Sequence, residues 1–158
     1  MVRRIYKHNG NEVVTEGDAA GVLTDGYGGF FALHPSLSYK GWYRFSREGW
    51  RMQKILESLE PLDEGECTSM YNTFYGLKRI FKSGAHDSFH LYGRSLLYET
   101  MHMNGRVRLT LDHREAYEES RLGRIYDIIP GSDSVTIVFR QYGEDSSQEY
   151  EHHMVIRG

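Results

Sequence analysis

Between Leu23 and Phe31 the chain reads Leu-Thr-Asp-Gly-Tyr-Gly-Gly-Phe-Phe, so glycines at 26, 28 and 29 are followed at once by paired aromatics. Glycine without a Cβ permits positive φ and close approach of another chain, and it weakens a strand unless that freedom is used. The segment therefore reads as a tight turn opening into a buried aromatic strand. A phosphate loop is the competing reading. Gly26 and Gly28 would be the first two glycines of a dinucleotide fingerprint, but Phe31 stands at the third position. No helical run follows to offer its N-terminal N–H groups to a phosphate. Asp25 is placed to cap the turn or to accept hydrogen bonds from sugar hydroxyls. Tyr27, with glycine on both sides, is the aromatic whose ring is expected to stay accessible.

The rest of the chain continues in short segments separated by turn residues. Val2 to Lys7 and Glu12 to Thr15 flank His8-Asn9-Gly10-Asn11, and Asn-Gly favours hairpin turns. A second hairpin is expected from Ser95–Met103 and Arg106–Asp112 across Asn104-Gly105, where Val107, Leu109 and Leu111 alternate with Arg106, Arg108 and Thr110. A third joins Gly123–Ile129 to Ser134–Tyr142 across Pro130-Gly131-Ser132-Asp133, with Val135, Ile137 and Phe139 on its buried face. Gln148–Arg157 is a last strand, and Tyr39–Phe45 and Met70–Phe81 are aromatic-rich strand segments. Roughly ten or more strands at this spacing point to an all-β sandwich or barrel. Two segments fit less simply. Met52, Ile55, Leu56 and Leu59 fall at helical spacing, and His113–Leu122 is a polar run expected to form a loop or a single turn.

Tyr 12, Phe 7 and Trp 2 among 158 residues, with 17 glycines and 3 prolines, favour twisted β structure with many turns. A chain of this length is expected to form one domain spanning 1–158. The formal net charge of −3 and the scattered basic residues give no electrostatic basis for nucleic acid or an anionic membrane as partner. Cys67 is the single cysteine, which excludes an internal disulfide framework and fits a reducing compartment. No apolar run reaches membrane-spanning length, and Met1–Tyr6 lacks the apolar core of a signal peptide, so the cytoplasm is the expected location.

Chemistry-bearing clusters are few. The chain has 8 histidines, and His152-His153 beside Glu149 and Glu151 is the densest group. Neighbouring residues of a strand point to opposite faces, so the pair does not converge on one ion, and a solvated edge strand is the expected setting. No metal or other cofactor is expected. Asp112, Glu115, Glu118 and Glu119 supply carboxylates of the kind glycoside hydrolysis needs, but they lie in a polar run with basic neighbours, as a salt-bridged surface does. Tyr27, Phe30, Tyr39, Trp42, Tyr43 and Trp50 gather in the glycine-rich third of the chain. Aromatic rings stack on sugar C–H faces and are inexpensive to immobilise, yet most rings in a strand-rich domain are core. Phe30 and Trp42 read as packing residues.

Thr24-Asp25-Gly26-x-Gly28-Gly29-Phe30, followed by Tyr39-x-Gly41, resembles the N-terminal domain of glycogen debranching enzymes of the bacterial and archaeal type, relatives of amylo-α-1,6-glucosidase. Ser38, Lys40 and Trp42 differ from that family's second element, whereas Asp112-x-Arg114-x-x-Tyr117 and Gly123-Arg124-Ile125-Tyr126 are similar to two later ones. The resemblance implies a large antiparallel β-sandwich of the galactose-mutarotase-like, super-sandwich kind. It also implies that the catalytic acid and base lie in an (α/α)6 barrel outside these residues, so no catalytic residue is expected here. The implied role is to pack on that barrel, in cis or in trans, and to shape one rim of an α-glucan cleft. Asp25, Tyr27, Tyr39 and Trp42 are the candidate sugar-contacting residues. A domain that docks in this way is expected to form a homodimer when isolated. Two alternatives remain open: a stand-alone oligosaccharide-binding module, and a β-barrel enclosing a small apolar ligand.

Overall fold

The computed structural model describes residues 3–6, 12–16, 21–33, 40–46, 51–73, 76–103, 106–110, 124–142 and 149–158. Their strands are β1 (Arg3–Tyr6), β2 (Glu12–Glu16), β3 (Gly21–Thr24), β4 (Phe30–Leu33), β5 (Gly41–Ser46), β6 (Arg51–Leu56), β7 (Ser58–Pro61) and β8 (Cys67–Thr73). There follow β9 (Gly76–Phe81), β10 (His86–Tyr92), β11 (Ser95–Met101), β12 (Val107–Thr110), β13 (Arg124–Pro130), β14 (Ser134–Tyr142) and β15 (Glu149–Arg157). No helix occurs among the described residues. The fold is all-β, rich in antiparallel pairing and of the sandwich class, and its sheets do not close into a barrel. His113–Leu122 lies outside the described residues.

A nine-stranded sheet runs in the order β1-β2-β8-β9-β10-β11-β15-β14-β13, beside a four-stranded meander β3-β4-β5-β6 and a two-stranded ribbon β12-β7. The first and third expected hairpins form, as β1 with β2 and β13 with β14. The second does not. β11 pairs instead with β10 on one side and, in parallel, with β15 on the other, while β12 pairs with β7. The physical reason is burial: β12 beside β7 sets Leu109 opposite the wholly buried Leu59, and β11 in the middle of the large sheet buries Leu96 and Tyr98. Nonlocal packing of this kind outweighs a local turn preference. The helical spacing from Met52 to Leu59 also yields to strands. Ile55 and Leu56 are both wholly buried at the end of β6, and after a break at Glu57 the chain continues as β7, which carries Leu59 into the ribbon.

Rings fill the space between the sheets. Phe31 of β4 stacks on Phe89 of β10 at 4.7 Å between centroids, and Trp42 of β5 meets Phe139 of β14 edge-on at 6.0 Å. Leu77, Met70, Leu96 and Met154 complete the face that the large sheet offers. Burying each such side chain contributes about 1.5–3 kcal/mol, so this core is the main source of stability.

A hydrogen-bonded polar cluster lies within that core. Arg79 and Asp87 stand directly opposite each other on β9 and β10, both turned inward and both nearly inaccessible. Arg79 donates from Nε to Asp87 Oδ1 (3.0 Å) and from Nη2 to Asp87 Oδ2 (2.6 Å), a two-pronged geometry suited to guanidinium and carboxylate. Tyr98 OH donates to the same Oδ2 at 2.9 Å, and Arg79 Nη2 also donates to the carbonyl of Leu59 at 2.8 Å. The guanidinium lies 5.1 Å from the ring centre of Phe89 and 5.2 Å from that of Phe81. Burial opposes the charge on Arg79, but Asp87 more than offsets it, and its pKa rises above the ordinary arginine value. Burial, then the Asp87 charge, raises the Tyr98 phenol.

Removing one partner of such a pair leaves the other charged and buried, which costs about 3–5 kcal/mol. Asp87→Asn should lower the unfolding free energy by that amount in a urea titration. Tyr98→Phe should lose about 1.5–3 kcal/mol, the worth of a hydrogen bond to a charged group. A loss under about 1 kcal/mol for Asp87→Asn would mean that the pair does not hold the sheets together.

Candidate functional site at the glycine loop

The glycine-rich segment forms the turn between β3 and β4, and Asp25 organises it. Tyr27 N–H donates to Asp25 Oδ1 at 2.7 Å, Gly29 N–H donates to the same oxygen at 2.9 Å, and Asp25 N–H donates to the carbonyl of Gly29 at 3.1 Å. Gly26 and Gly28 take φ of 81° and 93°, values that L side chains rarely adopt. At Gly29 a Cβ would press on the Asp25 carboxylate and lie 2.8 Å from the carbonyl of Tyr43, so a side chain there would undo the clamp. The result is a fixed loop that holds Tyr27 outward, 75% exposed, over the turn at Gly93. β4, not a helix, follows the loop. The phosphate-binding reading has no helix N-terminus to use.

Beneath Tyr27 lies a small cavity of about 50 Å³ lined by Asp25, Tyr27, Arg44, Phe45, Arg94 and His152. Four parts of the fold converge there. Arg44 comes from β5, Arg94 from the β10–β11 turn and His152 from β15, and the N–H of His153 donates to the carbonyl of Arg94 at 3.0 Å. His152 is 2% exposed, and its ring meets Trp42 edge-on at 5.4 Å. Its Nδ1 has no hydrogen-bond partner among the described residues. Buried polar atoms are rarely left so, and the exceptions tend to mark functional sites. Burial, then the charges of Arg44, Arg94 and His153, depress its pKa to about 3. The imidazole is therefore neutral at physiological pH, and it lines the cavity.

Asp25 and Tyr27 are thus brought together, as candidates of one loop. Asp25 has the capping role, with Oδ1 engaged by two backbone donors. Trp42 is wholly buried and packs beneath His152, so its part in the site is to support the imidazole, and the packing reading of this residue is the one the structure displays. Tyr39 lies outside the described residues. Arg44, Arg94 and His152 are the lining residues that sequence reasoning missed. A charged residue between Tyr43 and Phe45 in an aromatic strand was the signal for Arg44, whereas nothing marked Arg94. The solvated edge strand expected for His152-His153 does not form: β15 is interior, between β11 and β14. Alternation sends His152 into the core and His153 outward, where its Nε2 lies 2.7 Å from Glu151.

The site can recognise but has little with which to cleave. Asp25 is the one carboxylate among the described residues lining the cavity, whereas glycoside hydrolysis needs two across the scissile bond. A neutral imidazole, two guanidinium groups and an exposed phenol ring suit a small hydroxyl-bearing group with a flat face.

Because the His152 pKa is lower in the folded than in the unfolded protein, the unfolded state binds the extra proton between about pH 6.5 and about 3. Stability contributed by His152 is full above that window and falls as pH drops, by roughly 1.4 kcal/mol per pH unit. His152→Phe keeps a flat ring against Trp42 and should remove this slope in urea titrations between pH 6 and pH 4. Parallel curves for the two proteins would show that His152 is not held neutral. Family models, curated proteins and solved structures offer no match to this chain, so its function is read from this geometry and from the motifs of the sequence.

Proposed function

We propose that this chain is the non-catalytic N-terminal β-sandwich of a glycogen- or oligosaccharide-debranching glycoside hydrolase, packing on a catalytic (α/α)6 domain and forming one rim of its α-glucan cleft. The observation that carries this reading is the clamped glycine loop. The motif that resembles the debranching family, Thr24 to Phe30, is the segment that Asp25 ties down and that projects Tyr27 into solvent. An ordered loop holding an aromatic ring away from the core makes sense as a contact surface, because packing alone would have buried the ring. The cavity behind it supplies hydrogen-bonding groups and lacks paired carboxylates, which fits a rim and leaves cleavage to another domain. On the β13 edge of the large sheet, Ile128 and Ile129 are 69% and 54% exposed, which suits a surface covered by a further domain. Among the described residues no helix is long and apolar enough to cross a membrane, and cytoplasmic glycogen metabolism is the setting proposed.

The native polypeptide that carries residues 1–158, captured with an antibody to this chain, should release glucose from a branched limit dextrin. In that polypeptide Tyr27→Ala should raise KM for the dextrin roughly threefold to tenfold, the worth of one lost ring contact, with kcat unchanged. A captured polypeptide without glucosidase activity, or an unchanged KM, would sink the proposal.

A further inference from the structure

The nine-stranded sheet has a second face, turned away from the core, and it carries a groove of about 520 Å³ across β8, β9, β10 and β11. That volume falls among those of ligand pockets, ~300–1,000 Å³. Register determines what lines it. Tyr71 pairs with Lys78, Lys78 with Ser88, and Ser88 with Glu99, so four side chains stand in one row on this face. Arg157 of β15 extends the row, pairing with Glu99 in register and through Nη2 to Oε2 at 2.9 Å. At ~4.8 Å per strand the row is on the order of 19 Å long, running across the strands.

Flat rings flank this row. Gly76 and His90 are register partners, and a Cβ at Gly76 would lie 2.7–2.8 Å from ring atoms of His90, so the missing side chain lets the imidazole lie down against β9. The His90 ring is nearly parallel to that of Tyr92, at 6.2 Å and 14°. Lys78 Nζ lies 5.7 Å from the ring centre of Tyr71. The charges of the row are nearly balanced, with Lys78 and Arg157 against Glu99, and the hydroxyl of Ser88 sits at its centre.

This is not the surface an apolar partner would select, since the exposed Met101 stands among Lys78, Ser88, His86, His90 and Glu99. Nor is it a nucleic-acid stripe, which would carry an excess of basic groups. A polypeptide adding as a strand would use the sheet edge, because backbone donors in mid-sheet are already paired. Flat rings beside a row of hydroxyl, amine and carboxylate groups without large net charge match a chain of pyranose rings, with apolar C–H faces and a hydroxyl rim.

We infer that the outer face of β8–β11 is a binding groove for a neutral linear oligosaccharide, separate from the glycine-loop site. His90 and Tyr71 act as ring platforms, and Lys78, Ser88 and Glu99 bond to hydroxyls. The inference does not rest on the debranching reading, since a stand-alone binding module could carry the same groove.

The test is calorimetric titration of the 158-residue chain with maltoheptaose, cellohexaose and chitohexaose, with oligogalacturonate as the charged comparison. Saturable binding of at least one neutral oligomer is expected. His90→Ala and Tyr71→Ala should each weaken it at least tenfold, while Asp133→Ala, on the exposed β13–β14 turn, leaves it unchanged. Should either truncation fail to fold, Ser88→Arg, which fills the groove from an outward position, should abolish binding with the thermal midpoint retained. No saturable binding of any neutral oligomer, preference for the anionic one, or binding lost with Tyr27→Ala but not with the groove variants would each overturn the inference.

Discussion

A buried guanidinium–carboxylate pair constrains everything else in this molecule. Arg79 and Asp87 have to face inward together, and they have to meet Tyr98 and the carbonyl of Leu59 when they do. Apolar contacts tolerate small displacements, but a buried charge that misses its partner is left without solvation. Side chains alternate along a strand, so a slip of one residue between β9 and β10 would turn one of the two charges to the wrong face and leave the other unpaired. The same register that places Arg79 and Asp87 inside places Lys78, Ser88 and His90 outside. One electrostatic requirement thereby fixes the composition of both faces. The carbonyl of Leu59 brings the small ribbon into the same arrangement, and the two sheets share one polar centre.

Much of the architecture could be read from local signals. The β1–β2 and β13–β14 hairpins followed from turn residues and alternation, and Ile137 and Phe139 are buried as their pattern required. Where reading failed, the competing influence was distant in the chain. Asn104-Gly105 is a strong turn signal, yet the flanking strands separate because β11 is claimed by β15 and β12 by β7. No window around residue 104 contains that information. At the site, Asp25 and Tyr27 were legible because glycine spacing dictates loop geometry. His152 was not, because its setting depends on β15 entering the sheet's interior, and its two neighbours in sequence say nothing of that.

The two ends of the core use charge in opposite ways. At the Arg79 end a guanidinium is matched by a carboxylate within the buried interior. At the glycine loop the cations Arg44 and Arg94 face an imidazole that burial, together with their charges, keeps uncharged. The first arrangement gives rigidity. The second leaves a polar atom whose hydrogen bonding the described protein does not complete, and such an atom is an opening for a ligand.

The parallel pairing of β11 with β15 has a consequence for how the molecule comes into being. As the chain emerges from the ribosome, β8 to β11 can zip up in sequence, and β13 and β14 can close their own hairpin. Those two pieces have no edge in common. Between them is a gap one strand wide, and only β15, made after all the others described here, can fill it. Until then β11 and β14 each present an unpaired row of amides to solvent or to a neighbouring chain. The cavity beneath Tyr27 is incomplete over the same interval, because its imidazole arrives on that strand. The cavity beneath the loop and the interior of the sheet are therefore finished together in the life of the polypeptide, by the same nine residues.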